Sequence, residues 1–219
     1  MADFSTARRM MVDGQVRTSD VTDLRIISAF GNVPRERFVA PSKTALAYLD
    51  IDAPVADEDG ARRMLKPMVL SKLIQAAEMT ETDRVLIVGC TTGYSAAIIA
   101  SLAGSVTALD EGIAPAQAVK NLSSLGITNV EVVRGPLTAG WPAGAPYDVI
   151  LIEGLIEVLP DTFRSQIREG GRLVCVRGSK PPTKAFVYRL IEGELSGRPI
   201  FDAAAPLLPG FAEKPAFVF

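Results

Sequence analysis

The residues most able to organise chemistry lie in one short stretch. Arg84-Val85-Leu86-Ile87-Val88 is an apolar, β-branched run, and the turn Gly89-Cys90-Thr91-Thr92-Gly93-Tyr94 follows it directly. Glycines at both ends of such a turn let the backbone bend tightly and come close to a ligand. A second apolar run, Val106 to Leu109, ends on Asp110 and Glu111. Asp110 stands 21 residues after Gly89. At that spacing an acidic side chain in a strand–turn–helix–strand unit accepts hydrogen bonds from ribose hydroxyls. The chemistry implied is capture of a nucleoside-bearing ligand. A dinucleotide's pyrophosphate asks for a third glycine, in the order G-x-G-x-x-G. This turn is G-x-x-x-G, which suits a ligand without phosphate.

Several other chemistries are excluded. The 219 residues contain no histidine, which removes histidine triads, histidine general bases and histidine-ligated metal sites. Cys90 and Cys175 stand alone in apolar contexts without C-x-x-C spacing, so no metal site and no disulfide framework is expected. A net charge of −2 gives no global pull toward nucleic acid or anionic membrane. The first nine residues lack an apolar signal core, and a cytoplasmic setting is expected. The stretch Val85 to Leu109 is uncharged for 25 residues, long enough to span a bilayer. Its Gly89–Gly93 turn and Gly104-Ser105 break instead divide it into strand, helix and strand.

The elements that must position these residues can be read outward from the turn. Val21 to Phe30 has helical spacing behind a Ser19/Asp20 cap, and Val33-Pro34-Arg35 ends it. Residues 50 to 60 form an acidic surface loop, and Pro67 to Met79 an amphipathic helix with Pro67 in its first turn. Helices are expected over Tyr94 to Ala103, Ala114 to Leu125 and Leu159 to Arg168. Strands are expected over Val130 to Arg134, Tyr147 to Glu153 and Leu173 to Arg177. Apolar strands alternating with helices mean right-handed parallel β-α-β units. Beyond Lys184 the runs Ala185 to Ile191, Pro199 to Ala203 and Ala216 to Phe219 read as strands without helices between them. The fold class is therefore α/β, a mostly parallel sheet with an antiparallel C-terminal edge and an N-terminal helical segment. Residues 1–60 are expected to pack as helices and loop on a main unit formed by residues 61–219.

Four ordered motifs resemble one family. Val33-Pro34-Arg35-Glu36-Arg37-Phe38-Val39 is similar to its V-P-R-E-x-F-V, and Arg84 to Tyr94 to its R-V-L-E-I-G-T-G-S-G-Y. Gly140-Trp141-Pro142-Ala143-Gly144-Ala145-Pro146-Tyr147-Asp148 resembles G-W-x-x-x-A-P-F-D, and Gly170-Gly171-Arg172-Leu173-Val174 resembles G-G-x-L-V. The family is that of the protein-L-isoaspartate O-methyltransferases. The resemblance implies a Rossmann-like methyltransferase sheet, S-adenosylmethionine as methyl donor, and a protein or peptide substrate with a free isoaspartyl carboxylate. It implies that Gly89, Cys90, Thr91, Thr92, Gly93, Tyr94, Asp110, Glu111 and Glu153 surround the donor.

The sequence departs from that pattern at functional positions. The family's Q-T-I-S-Q-P stands here as Arg62-Arg63-Met64-Leu65-Lys66-Pro67, so Leu65 occupies the active-site serine position. Ile87 replaces the acid of the first strand, Thr91 the middle turn glycine, and Gly135-Pro136-Leu137 a G-D-G whose Asp meets the adenine amino group. Together these losses would weaken donor binding by roughly 2–5 kcal/mol. Arg62, Arg63 and Lys66 place three cations where a carboxylate substrate would arrive, or else remain solvated charges before a helix. Glu153 either meets the donor's sulfonium or a cationic substrate, or pairs with a nearby arginine. Trp141 is expected to pack under the Pro142/Pro146 loop. The primary reading is a protein carboxyl methyltransferase. A silent binding or scaffold relative, and a methyltransferase for another acceptor, are the alternatives.

Overall fold

The computed structural model describes residues 3–58 and 62–213. Near the N-terminus, α1 (Phe4–Met11) runs through a π turn into a 3₁₀ turn that stops at Asp20 in the left-handed region, φ 62°. Asp23, not Ser19 or Asp20, then caps α2 (Leu24–Asn32) by accepting from the Arg25 amide at 2.9 Å. Two-residue strands β1 (Ala53–Pro54) and β2 (Arg63–Met64) pair antiparallel across the acidic loop. Helix α3 (Pro67–Ala76) begins on Pro67 as expected.

The main sheet follows the predicted alternation: β3 (Arg84–Val88), α4 (Tyr94–Ile99), β4 (Ser105–Asp110), α5 (Ala114–Ser124), β5 (Val130–Arg134), β6 (Tyr147–Ile156) and β7 (Ile167–Arg177). The strands β3 to β7 are parallel, and β8 (Lys184–Ile191) and β9 (Glu194–Asp202) add an antiparallel edge, giving the order β5-β4-β3-β6-β7-β8-β9. Pro199 is tolerated because β9 is an edge strand. Glu192 and Gly193, both at positive φ, form the tight β8–β9 hairpin. No described helix is long and apolar enough to cross a membrane. The expected strand Ala216 to Phe219 lies outside the described residues.

One expected helix is absent. Leu159 to Arg168 contains a 3₁₀ turn, Asp161–Phe163, and β7 already begins at Ile167. Pro160 immediately precedes the turn, and Tyr147 pairs with Ile167 across the sheet, which draws the segment into strand geometry. The consequence reaches the whole molecule. One face of the sheet is covered by the N-terminal helices, α3, α4 and α5. The other is covered by Leu137, Phe163, Leu208 and Phe211, from turns and the C-terminal segment.

Candidate active site

In an open parallel sheet, ligands sit beyond the carboxyl ends of strands where the strand order reverses. Here that point is β3, flanked by β4 and β6. The turn after β3 is tied to β4: the Gly89 and Cys90 amides both donate to the Leu109 carbonyl, at 2.8 and 3.2 Å. Gly89 and Gly93 have φ of +89° and +94°, and Thr91 is also left-handed at φ +50°. A β-branched residue there is strained by about 1–2 kcal/mol. Among the described residues the buried Thr91 hydroxyl has no partner. The turn thus keeps a conformation suited to glycine with a threonine in the middle.

Asp110 ends β4 and is fully buried. Its Oδ2 accepts from the Thr91 amide at 2.6 Å, and its Oδ1 from the Glu111 amide at 2.8 Å. The third donor comes from far away in sequence. Arg62 Nη1 lies 2.9 Å from Oδ1, and Arg62 Nη2 donates to the Gly89 carbonyl at 3.2 Å. Arg62 is therefore the ion-pair partner of Asp110, not a free cation awaiting a substrate carboxylate.

Glu153 lies on β6 next to Gly89, whose added Cβ would stand 3.6 Å from the Glu153 carbonyl. Ser95 donates to its Oε2, while Oε1 is buried without a partner among the described residues. Burial pushes the Glu153 carboxyl up to about 7 against the opposing pull of Ser95 and Arg62, with Asp110 adding repulsion. Among the described residues Glu153 forms no ion pair with an arginine; Ser95 is its partner. Ser95 was not legible as such, since nothing marks one serine at the start of α4 as facing a carboxylate 58 residues on.

The remaining expected residues are dispersed. Tyr94 turns its ring into the N-terminal core rather than the crevice, edge-on to Phe30 and Phe38 with the Arg35 guanidinium 4.6 Å from its centroid. Thr92 donates its hydroxyl to the Phe38 carbonyl. Burial, with Asp110 and Glu153 nearby, drives the Cys90 thiol well above its ordinary value, so it stays protonated. Leu65 is buried, and its carbonyl accepts from Arg35 at 2.9 Å. Arg63 reaches the Asp52 carbonyl, and the Lys66 amide donates to the Asp52 carboxylate. Trp141 is half-buried against Gly135 and Gly144.

The C-terminal segment completes the site. Leu155 donates to the Pro206 carbonyl at 2.8 Å and Leu208 donates back to Leu155 at 3.0 Å, while Phe211 stacks on Phe163. This lays Leu208 over the carboxyl end of β3. A Cβ built on Gly89 would meet Arg62 Nη2 at 2.9 Å and Leu208 Cδ2 at 3.2 Å. The Asp110 carboxylate at the end of β4 is an acceptor of the kind ribose hydroxyls need, and Arg62 and Leu208 lie against Gly89 beside it.

A family model described as Protein-L-isoaspartate(D-aspartate) O-methyltransferase (PCMT) matches residues 7–193. The chain belongs to this family. The protein-L-isoaspartate O-methyltransferase 2 of Anaeromyxobacter sp. is 36% identical over 83% of this chain and 74% of that protein. The enzyme of Koribacter versatilis is 31% identical over 97% of this chain and 96% of its own length. A solved protein-L-isoaspartate O-methyltransferase superposes with a TM-score of 0.83 at 26% identity, covering 93% of this chain and 66% of that longer one. A Plasmodium falciparum structure solved with S-adenosyl-L-homocysteine shares the fold at 14% identity and a TM-score of 0.77. The Rossmann-like sheet expected from the alternation of strands and helices is thus that of the protein-L-isoaspartate O-methyltransferases.

Proposed function

We propose that the chain is an S-adenosylmethionine-dependent protein carboxyl methyltransferase acting on isoaspartyl residues. Membership of the family over residues 7–193 supports the reaction class. The observation that carries the site is the buried Asp110 carboxylate, held at the end of β4 by the amide of the turn opposite. In this reading Asp110 holds the donor's ribose, Gly89 to Gly93 shape its pocket, and Glu111 and Glu153 flank it. When bound, S-adenosylmethionine supplies an activated methyl group.

The rest of the task falls to positioning. A carboxylate near pKa 4 is ionised at neutral pH, so the acceptor needs no general base. The absence of histidine is then no obstacle, and rate depends on alignment and exclusion of water. Arg63 and Lys66, on the segment entering α3, are the cations proposed to meet the acceptor carboxylate, since Arg62 is engaged by Asp110. Leu65 offers packing and no hydroxyl, which predicts looser positioning of the acceptor.

Incubating the full chain with methyl-labelled donor and paired isoaspartyl and aspartyl peptides tests this. Label is expected in the isoaspartyl peptide alone, and lost in Asp110→Ala. A folded protein that transfers no label at millimolar donor contradicts the reading.

A further inference from the structure

We propose that Arg62, backed by Leu208, is an intramolecular plug of the donor crevice, and that ligand binding at Asp110 requires its withdrawal. The inference rests on the reading of this crevice as the donor site. Two independent contacts carry it. The Arg62 guanidinium takes a carboxylate oxygen of Asp110 and the Gly89 carbonyl together. Leu208 fills the adjoining volume, and it does so because Gly154 leaves room: a Cβ there would stand 2.5 Å from Leu208 Cγ.

Arg62 is built to move as a side chain rather than as a segment. The backbone around Arg62 is pinned by the Val55 amide, which donates to the Arg62 carbonyl at 3.1 Å, and by the β1–β2 pairs Ala53–Met64 and Pro54–Arg63. The Arg62 side chain remains 23% exposed, whereas that of Asp110 is 1% exposed. A buried carboxylate without a cation or donor is costly. The Thr91 and Glu111 amides are donors to Asp110, and Arg62 supplies the cation. A ribose and the guanidinium therefore compete for the same oxygen and the same space, and the apparent affinity falls by the fraction of molecules that are plugged.

Leu208 is held less directly. Its segment hangs on the reciprocal Leu155–Pro206 and Leu208–Leu155 hydrogen bonds. Withdrawal of Leu208 should expose these amides, giving a signature of opening that does not depend on turnover.

The test is calorimetric titration of S-adenosylhomocysteine into the full chain, wild type and three variants, with circular dichroism confirming each fold. Arg62→Ala is expected to bind at least tenfold tighter and Leu208→Ala several-fold tighter. Arg198→Ala, on the exposed edge strand β9, should match wild type. Equal or weaker binding by a folded Arg62→Ala, beside measurable wild-type binding, overturns the plug and leaves the donor reading standing. No binding by any folded variant at millimolar ligand overturns both. Should Arg62→Ala not fold, hydrogen exchange of the wild type decides: faster exchange at Leu155 and Leu208 on adding the ligand supports the plug. Unchanged or slower exchange with ligand bound overturns it.

Discussion

Arg62 and Asp110, 48 residues apart in sequence, meet at 2.9 Å beyond the carboxyl ends of β3 and β4. The pair joins the β1–β2 ribbon before α3 to the end of β4. Removing one partner of a fully buried ion pair costs about 3–5 kcal/mol. Arg62 keeps some exposure and Asp110 keeps two backbone donors, so Arg62→Ala should destabilise by about 2–3 kcal/mol. Urea unfolding followed by circular dichroism measures it; a loss under about 0.5 kcal/mol would mean the pair is solvated.

The pH dependence of stability should carry the mark of Glu153. Folded, its carboxyl takes up a proton near pH 7; unfolded, near 4.5. Between those values the folded chain binds more protons than the unfolded one, so this group's contribution to stability falls as pH rises through the window and levels off above it. The decline amounts to about 3 kcal/mol. Glu153→Gln should flatten it relative to wild type when urea midpoints are compared from pH 4.5 to 8. Parallel curves for the two proteins would place the titration elsewhere.

Thr91 is strained by its left-handed backbone, and its buried hydroxyl has no partner among the described residues. Thr91→Gly removes both penalties at the expense of a more flexible unfolded chain and a small void. A net gain of about 1 kcal/mol is expected in the unfolding free energy. A loss would show that the Thr91 methyl packs better than the strain costs.

Gly154 has no room for a side chain beneath Leu208. Gly154→Ala should lift the C-terminal segment and cost about 1–3 kcal/mol, as overpacking does. Limited proteolysis then ought to cut between residues 203 and 213 sooner than in wild type. Equal cleavage rates would show that the segment is not seated there.

The parts of the molecule that were legible are those whose burial leaves a periodic trace. The runs at β3, β4 and β6 are apolar on both faces because a parallel sheet is covered twice, and the G-x-x-x-G turn with Asp110 marks the crevice. The Leu159 to Arg168 helix failed because a mixed polar and apolar decapeptide with a proline at its second position fits a 3₁₀ turn and an early strand equally well. The Arg62–Asp110 pair was not readable, because nothing in Arg62-Arg63-Lys66 says which cation turns inward; the β1–β2 register decides that. Leu208 lies in a proline-rich segment without period, and its seat depends on Gly154, 54 residues earlier.

The central claim, a methyl-donor crevice held shut by its own arginine, is tested most directly by a crystal structure of the full chain saturated with S-adenosylhomocysteine. The account predicts the nucleoside's ribose on Asp110, with Arg62 and Leu208 withdrawn from above Gly89. A structure at saturating ligand in which Arg62 stays on Asp110 and the nucleoside lies elsewhere, or nowhere, contradicts it.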